Sequence, residues 1–218
     1  MKLKVIATAD GSKTLKITSW NEHYHSTHGA VAEAKHVYIK NGLKFLISKH
    51  LSIFEMGFGT GLNAFLTYLN AKEKHIDYYS IDKEPLPIEL IDQLDYVEQL
   101  NVKAEENIFK QMHHSKWNNR CKLSSNFNLY KIHDSIQNHT FVTHFDLVYY
   151  DAFGPRVQSE LWQKEIFEKL VKHIKKEGVL VTYCAKGEVK RILKALGMRV
   201  ESLAGPPGKR EMIRAIRL

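Results

Sequence analysis

The stretch LSIFEMGFGTGLN, residues 51–63, sets the reading of the whole chain. A strand-length apolar run reaches Glu55, and three glycines, Gly57, Gly59 and Gly61, follow within five positions. Glycine permits φ > 0 and a close backbone approach, so a loop of this kind between a strand and a helix suits a bound ligand. A dinucleotide fingerprint, G-x-G-x-x-G, counted from Gly57 requires glycine at position 62, where the chain carries Leu62. The spacing argues against a pyrophosphate cradle.

Working outward, the flanking segments alternate between strand and helix patterns. Residues 3–18, LKVIATADGSKTLKIT, alternate about Asp10-Gly11 and predict a β-hairpin. HGAVAEAKHVYIK, residues 28–40, carries an apolar stripe through Ala30, Val31, Ala34, Val37 and Tyr38 and predicts a helix ended by Asn41-Gly42. Past the glycine loop come a helix, the strand IDYYSID, a helix over residues 87–100, and a polar, loosely patterned stretch to residue 126. FNLYKIH, FDLVYYDAF and GVLVTYC read as further strands, with one helix over residues 159–176 between the last two. EVKRILKALG is helical, and MRVESL and EMIRAIRL end the chain as strands around AGPPGKR.

Composition narrows the class. The chain has 218 residues, 44% hydrophobic and 26% charged, enough for a real core. No run approaches the roughly 20 apolar residues of a membrane span, and the N-terminus lacks the apolar core of a signal peptide. Cys121 and Cys184 match no metal or disulfide spacing and read as free thiols of a cytoplasmic protein. The formal net charge of +8, from 32 Lys+Arg against 24 Asp+Glu, favours a polyanionic partner but also serves solubility.

The alternation predicts an α/β fold: a Rossmann-like, mostly parallel sheet of seven strands with the last strand antiparallel, preceded by a hairpin-and-helix arm over residues 1–50. A reversed seventh strand is the architecture of the class I S-adenosylmethionine-dependent methyltransferases. S-adenosylmethionine has no phosphate and asks for tight backbone packing, which E-x-G-x-G-x-G from Glu55 supplies. Asp82, closing the second sheet strand, is placed for the ribose hydroxyls, and Asp134, after the third, for the adenine edge. Taken singly, glycines also make turns and an Asp after a strand also caps a helix. Ligands of open α/β sheets gather at the carboxyl ends of the strands, so YYDAFGP, residues 149–155, adjoins the loop. Asp151 there can accept a hydrogen bond from an acceptor amine, and Phe153 offers an aromatic face. Helix capping is the alternative role of Asp151.

Six ordered blocks extend the argument: YHSTHGAVAEAKHVYI, FEMGFGTGLNA, YYSIDKEPL, YYDAFGP with ELW, TYCAKGEVKRIL and GPPGKREMIRA. Together they resemble the methyltransferase domain of MnmC, the tRNA (5-methylaminomethyl-2-thiouridine) methyltransferase family, over nearly the whole chain. The resemblance implies methyl transfer from S-adenosylmethionine to the amine of 5-aminomethyl-(2-thio)uridine at the tRNA wobble position. It places Glu55, Gly57, Gly59, Gly61 and Asp82 in the cofactor site, with Tyr24, Ser26 and Glu33 closing the pocket. Asp151 and Phe153 fall at the reacting amine and base. Many relatives carry an FAD-dependent domain as well. The sequence ends at Leu218 without one, resembles the stand-alone form, and implies a separate enzyme that supplies the aminomethyl group.

Lys209 and Arg210, in GPPGKRE, are expected to emerge on the site side and contact anticodon-loop phosphates. Lys186, Lys190, Arg191 and Lys194 precede them on a helix, and Trp117 and Arg120 lie in the polar stretch. An ordinary solvated face is the plainer reading for such residues. His23, His25 and His28 lack an acid or cysteine to complete a metal set, and Cys184 reads as packing. Rival functions are a small-molecule amine methyltransferase or aminopropyltransferase, and an inactive tRNA-binding module.

Overall fold

The computed structural model describes residues 2–218. A three-stranded antiparallel sheet opens the chain: β1 (Leu3–Ala7), β2 (Lys13–Ile17) and the short β3 (Glu22–His23). Helix α1 (Ala30–Ala34) follows and widens into a π-helical segment over Lys35–Lys40. Leu15 of β2 and Val31, Val37 and Tyr38 of the helix are buried in the same apolar cluster as Leu51 and Ile53 of the main sheet. The arm therefore shares its core with the body of the protein.

The main sheet is built from β4 (His50–Met56), β5 (His75–Asp82), β6 (Arg120–Ser124), β7 (Phe127–His133), β8 (Phe145–Tyr150), β9 (Ile174–Thr182), β10 (Met198–Ala204) and β11 (Glu211–Arg217). Their order is β10-β11-β9-β8-β4-β5-β7-β6. The strands β4, β5, β7, β8 and β9 run parallel, and β11 is antiparallel to both its neighbours. The helices are α2 (Leu62–Asn70), the short α3 (Ile88–Ile91) and α4 (Tyr96–Gln99), α5 (Glu106–His114), α6 (Lys164–Val171) and α7 (Gly187–Ala195). With helices on both faces, the central strands are apolar almost throughout, as β8 shows with Phe145, Leu147, Val148, Tyr149 and Tyr150 all buried. Among the described residues no helix is long and apolar enough to cross a membrane.

The seven expected strands form with the last one reversed, and β6 adds an eighth at the edge. It lies in the polar stretch, where one exposed face and a bulge at Lys122/Ser124 blur the alternation. The expected helix over residues 159–176 is interrupted at Gln163, whose backbone is extended, and its last residues join β9. There Phe145 N–H donates to His173 O at 2.7 Å, and Ile174 pairs with Phe145. Sheet pairing overrides the helical preference of HIKK. The helix expected over residues 87–100 is likewise divided into α3 and α4.

Candidate active site

Sheet order creates the site. From β4 the chain moves outward through β5 to β7 on one side, while β8 and β9 lie on the other, so the order reverses between β4 and β8. Met56 pairs with Tyr150, which sets Gly57 beside Asp151 although 94 positions separate them in the chain. Asp82 pairs with His133, which sets it beside Asp134. Four strand ends thus converge on one cavity of about 720 Å³, a volume suited to a small-molecule ligand. Tyr24, Ser26, Glu33, Gly57, Gly59, Asp82, Asp134, Asp151 and Phe153 all line it.

The glycine loop is held from below. Gly57 has φ +91° and Gly59 φ +49°, backbone conformations that favour glycine. A Cβ on Gly59 would stand 3.2 Å from the Tyr24 ring, so the arm packs directly on the loop. Asp82 Oδ2 accepts from Gly59 N–H at 2.9 Å, and its Oδ1 accepts from Glu84 N–H at 2.9 Å. Burial pushes the Asp82 carboxyl upward against these two donors. His25 from the arm engages Thr14 Oγ1 through Nδ1 at 2.9 Å and meets Thr60 Oγ1 through Nε2 at 3.4 Å. Burial lowers its pKa to about 4, so the imidazole is neutral. A glycine loop whose Gly57 and Gly59 line the cavity, faced by an acid on the next strand, fits an adenosyl group joined to an amino-acid tail.

Two expected cofactor residues lie behind this wall. Gly61 has φ +70° at the start of α2 and packs against His113 and Phe58, where a Cβ would stand 2.7 Å from His113 Nε2. Glu55 is buried within the sheet, accepts from Ser80 Oγ at 2.7 Å, and leaves Oε1 unpartnered. Burial raises its pKa well above the usual carboxylate range. Asn63 Oδ1 and Tyr78 OH are also buried without partners, and Asn63 links this polar cluster to Asp151 through its Nδ2.

Asp151 is clasped at both oxygens. Tyr38 OH donates to Oδ1 at 2.5 Å, and Asn63 Nδ2 donates to Oδ2 at 2.7 Å. Desolvation raises its pKa to about 7; the Tyr38 bond opposes that rise and the Glu33 charge adds to it. Neither partner stands out in the sequence. Tyr38 is absorbed into the apolar stripe of the first helix, and Asn63 is one polar residue among the apolar positions opening α2, a weak signal of buried hydrogen bonding.

The basic residues divide into two groups. Lys209 turns inward: Nζ lies 2.5 Å from Glu33 Oε1 and 3.8 Å from the centroid of the Tyr183 ring, and it lines the cavity. Glu33 Oε2 also accepts from Ser26 N–H at 2.9 Å. Lys190 is paired with Glu211 at 2.6 Å. Lys186, Arg191, Lys194 and Arg210 are exposed. Arg120 pairs with Asp77 at 2.5 Å near the start of β5, away from the strand ends that form the cavity. Trp117 sits over the Lys131 ammonium, 4.8 Å from its ring centroid. Cys184 is buried, and desolvation raises its thiol pKa.

A family described as S-adenosyl-L-methionine-dependent methyltransferase matches residues 93–217, more than half of the chain. The tRNA 5-methylaminomethyl-2-thiouridine biosynthesis bifunctional protein MnmC of Burkholderia multivorans is 27% identical over 220 residues, covering 92% of this chain and 33% of that protein. The protein of the same name from Burkholderia mallei is 28% identical over 223 residues, covering 89% and 32% respectively. The chain thus spans about a third of the length of the curated relatives it matches. The crystal structure of MNMC2 from Aquifex aeolicus superposes with a TM-score of 0.78 at 24% identity, covering 98% of this chain and 69% of that one. DesVI from Streptomyces venezuelae shares the fold at a TM-score of 0.51 and 13% identity, covering 86% of this chain and 92% of that one. Sheet order, reversed last strand and a cavity at the strand ends agree with the family match, and the chain belongs to the S-adenosyl-L-methionine-dependent methyltransferases.

Proposed function

We propose that this methyltransferase acts on the primary amine of 5-aminomethyl-(2-thio)uridine at the tRNA wobble position. The observation that carries the reading is Asp151, held at both oxygens by Tyr38 and Asn63 on the cavity wall beside the glycine loop. The names of the Burkholderia relatives, which this chain matches over 89–92% of its length, support the tRNA substrate. A net charge of +8 suits a polyanionic acceptor. A wobble base is already single-stranded and enters a pocket without breaking a pair.

In this reading the cofactor site comprises Gly57, Gly59, Asp82 and Asp134, with Tyr24, Ser26 and Glu33 of the arm as its cover. When bound there, S-adenosylmethionine supplies an electrophilic sulfonium methyl group. Asp151 does the protein's chemistry. Its lone pairs not taken by Tyr38 and Asn63 accept a hydrogen bond from the acceptor amine and aim the nitrogen lone pair. A carboxyl with a pKa of about 7 also receives the proton that the amine must lose. Phe153 lines the cavity two positions beyond Asp151 and packs along the base. The exposed Lys186, Arg191 and Arg210 contact tRNA phosphates, and tRNA as substrate implies work in the cytoplasm.

The test uses labelled S-adenosylmethionine and tRNA from cells lacking this activity, followed by nucleoside analysis. Native protein is expected to form 5-methylaminomethyl(-2-thio)uridine, and Asp151→Ala to form none. Methyl transfer to small amines with none to tRNA would reject the substrate and leave the family assignment standing.

A further inference from the structure

We infer that Trp20 is the outer platform on which the acceptor's base stacks, a substrate-positioning role within the same site. This rests on the acceptor being a nucleobase amine. Trp20 lies in the connection between β2 and β3, which pair Ile17 with Glu22, and Asn21 beside it takes a left-handed φ of 50° to close the turn. A hairpin tip is a poor place for an indole. The side chain remains 42% exposed, whereas Trp162 is 3% exposed, so Trp20 gains little as a core residue. It nevertheless lines the cavity that holds Asp151.

Its neighbours order the position. The Trp20 and Phe153 rings meet at 87° with centroids 6.0 Å apart, and Tyr24 meets Phe153 at 82° and 4.9 Å. Three aromatic rings thus run from the mouth of the cavity to the glycine loop, where Tyr24 packs on Gly59. Phe153 is fixed through its backbone, because Trp162 Nε1 donates to Phe153 O at 2.7 Å. The hairpin is fastened to the segment after Phe153 by Arg156 and Glu22, 3.2 Å apart. Edge-to-face packing leaves a flat, partly exposed aromatic surface at the entrance. A uracil ring resting there directs its aminomethyl arm past Phe153 to Asp151. Stacking tolerates any planar base, so Trp20 supplies affinity and register while Asp151 selects the amine.

Steady-state transfer to tRNA is compared for the native chain, Trp20→Ala and Trp20→Phe, with S-adenosylhomocysteine affinity measured by calorimetry. Trp20→Ala is expected to raise KM for tRNA about tenfold or more with kcat within about twofold and cofactor affinity unchanged, and Trp20→Phe to recover most of the loss. A native KM for Trp20→Ala, or a loss that falls wholly on cofactor affinity, would overturn the role. Tryptophan fluorescence supplies a readout free of turnover. 5-Aminomethyluridine is expected to quench emission in the native chain and not in Trp20→Phe, and equal quenching in both overturns the platform. If the native chain transfers no methyl to tRNA, the acceptor reading fails, and the quenching comparison still decides Trp20.

Discussion

Tyr38 and Asp151, 113 positions apart in the chain, are joined by a 2.5 Å hydrogen bond from the phenol to the carboxylate. The arm supplies the tyrosine and the fourth parallel strand supplies the acid, so the hairpin-and-helix extension holds the carboxyl proposed for the chemistry and also lines the cavity. This bond stabilises the ionised carboxylate and opposes the desolvation that raises its pKa. Its removal is therefore expected to raise the Asp151 pKa further. In Tyr38→Phe the acidic limb of the pH–rate profile should move above that of the native chain, which is expected near pH 7. Turnover at neutral pH should drop about tenfold, with cofactor affinity retained. An unmoved limb accompanied by the same loss would separate Tyr38 from the ionisation of Asp151.

Asp151→Asn should trade activity for stability. The native carboxyl has a folded pKa of about 7 against an unfolded value of 3.8, so folding favours its protonated form. The native state then binds more protons than the unfolded state between about pH 4 and pH 7, and stability falls as pH rises through that window. The amide carries no such penalty, and Asn63 can turn its unpartnered Oδ1 toward the new N–H. At pH 8 Asp151→Asn is expected to be more stable than native by roughly 1–2 kcal/mol, or about 2–8 °C in Tm, with transfer reduced at least about a hundredfold. Thermal melts at pH 4 and pH 8 check the sign, since the gap should close at the lower pH.

Glu55 separates support from ligand contact. It lies behind the cavity with burial raising its pKa well above the usual carboxylate range, and Gln is a neutral residue of the same shape. Glu55→Gln should fold, bind S-adenosylhomocysteine within about threefold of native, and lose less Tm than the native chain between pH 5 and pH 8. The sign follows from the raised pKa: the unfolded glutamate ionises above about pH 4.5 and the folded one only at higher pH, so stability falls as pH rises through that interval. A loss of cofactor affinity of a hundredfold or more would instead make Glu55 a direct contact.

The inward and outward cations should behave differently toward tRNA. Lys186, Arg191 and Arg210 are exposed, and each replacement by Ala is expected to weaken binding and lower the slope of log K against log salt by about 0.7–1. Lys209 is engaged by Glu33 at 2.5 Å, so Lys209→Ala should leave that slope within about 0.3 of native. Its damage should appear as lost stability, because Glu33 is left buried without its cation. Filter binding between 50 and 200 mM salt, with melts of the same variants, distinguishes the two classes.

The sequence by itself determined the fold class and the strand ends that line the cavity. Local patterns did this: a glycine loop behind an apolar strand, acids closing successive strands, and two final strands too closely connected to run parallel. Gly57, Gly59, Asp82, Asp134 and Asp151 are legible because each stands at a fixed offset from a strand. Tertiary structure decided the rest. Only the packing of the arm against the sheet brings Tyr38 to Asp151, and only the buried environment makes Asn63 a partner rather than a helix residue. It moved Glu55 and Gly61 behind the cavity wall and drew Lys209 inside it, since a side chain's direction depends on what lies across from it. It added β6 as an edge strand whose exposed face hides its period. Periodicity records which residues are buried, but it carries no information about which distant residue shares the burial, and the hydrogen bonds of this site all depend on that pairing.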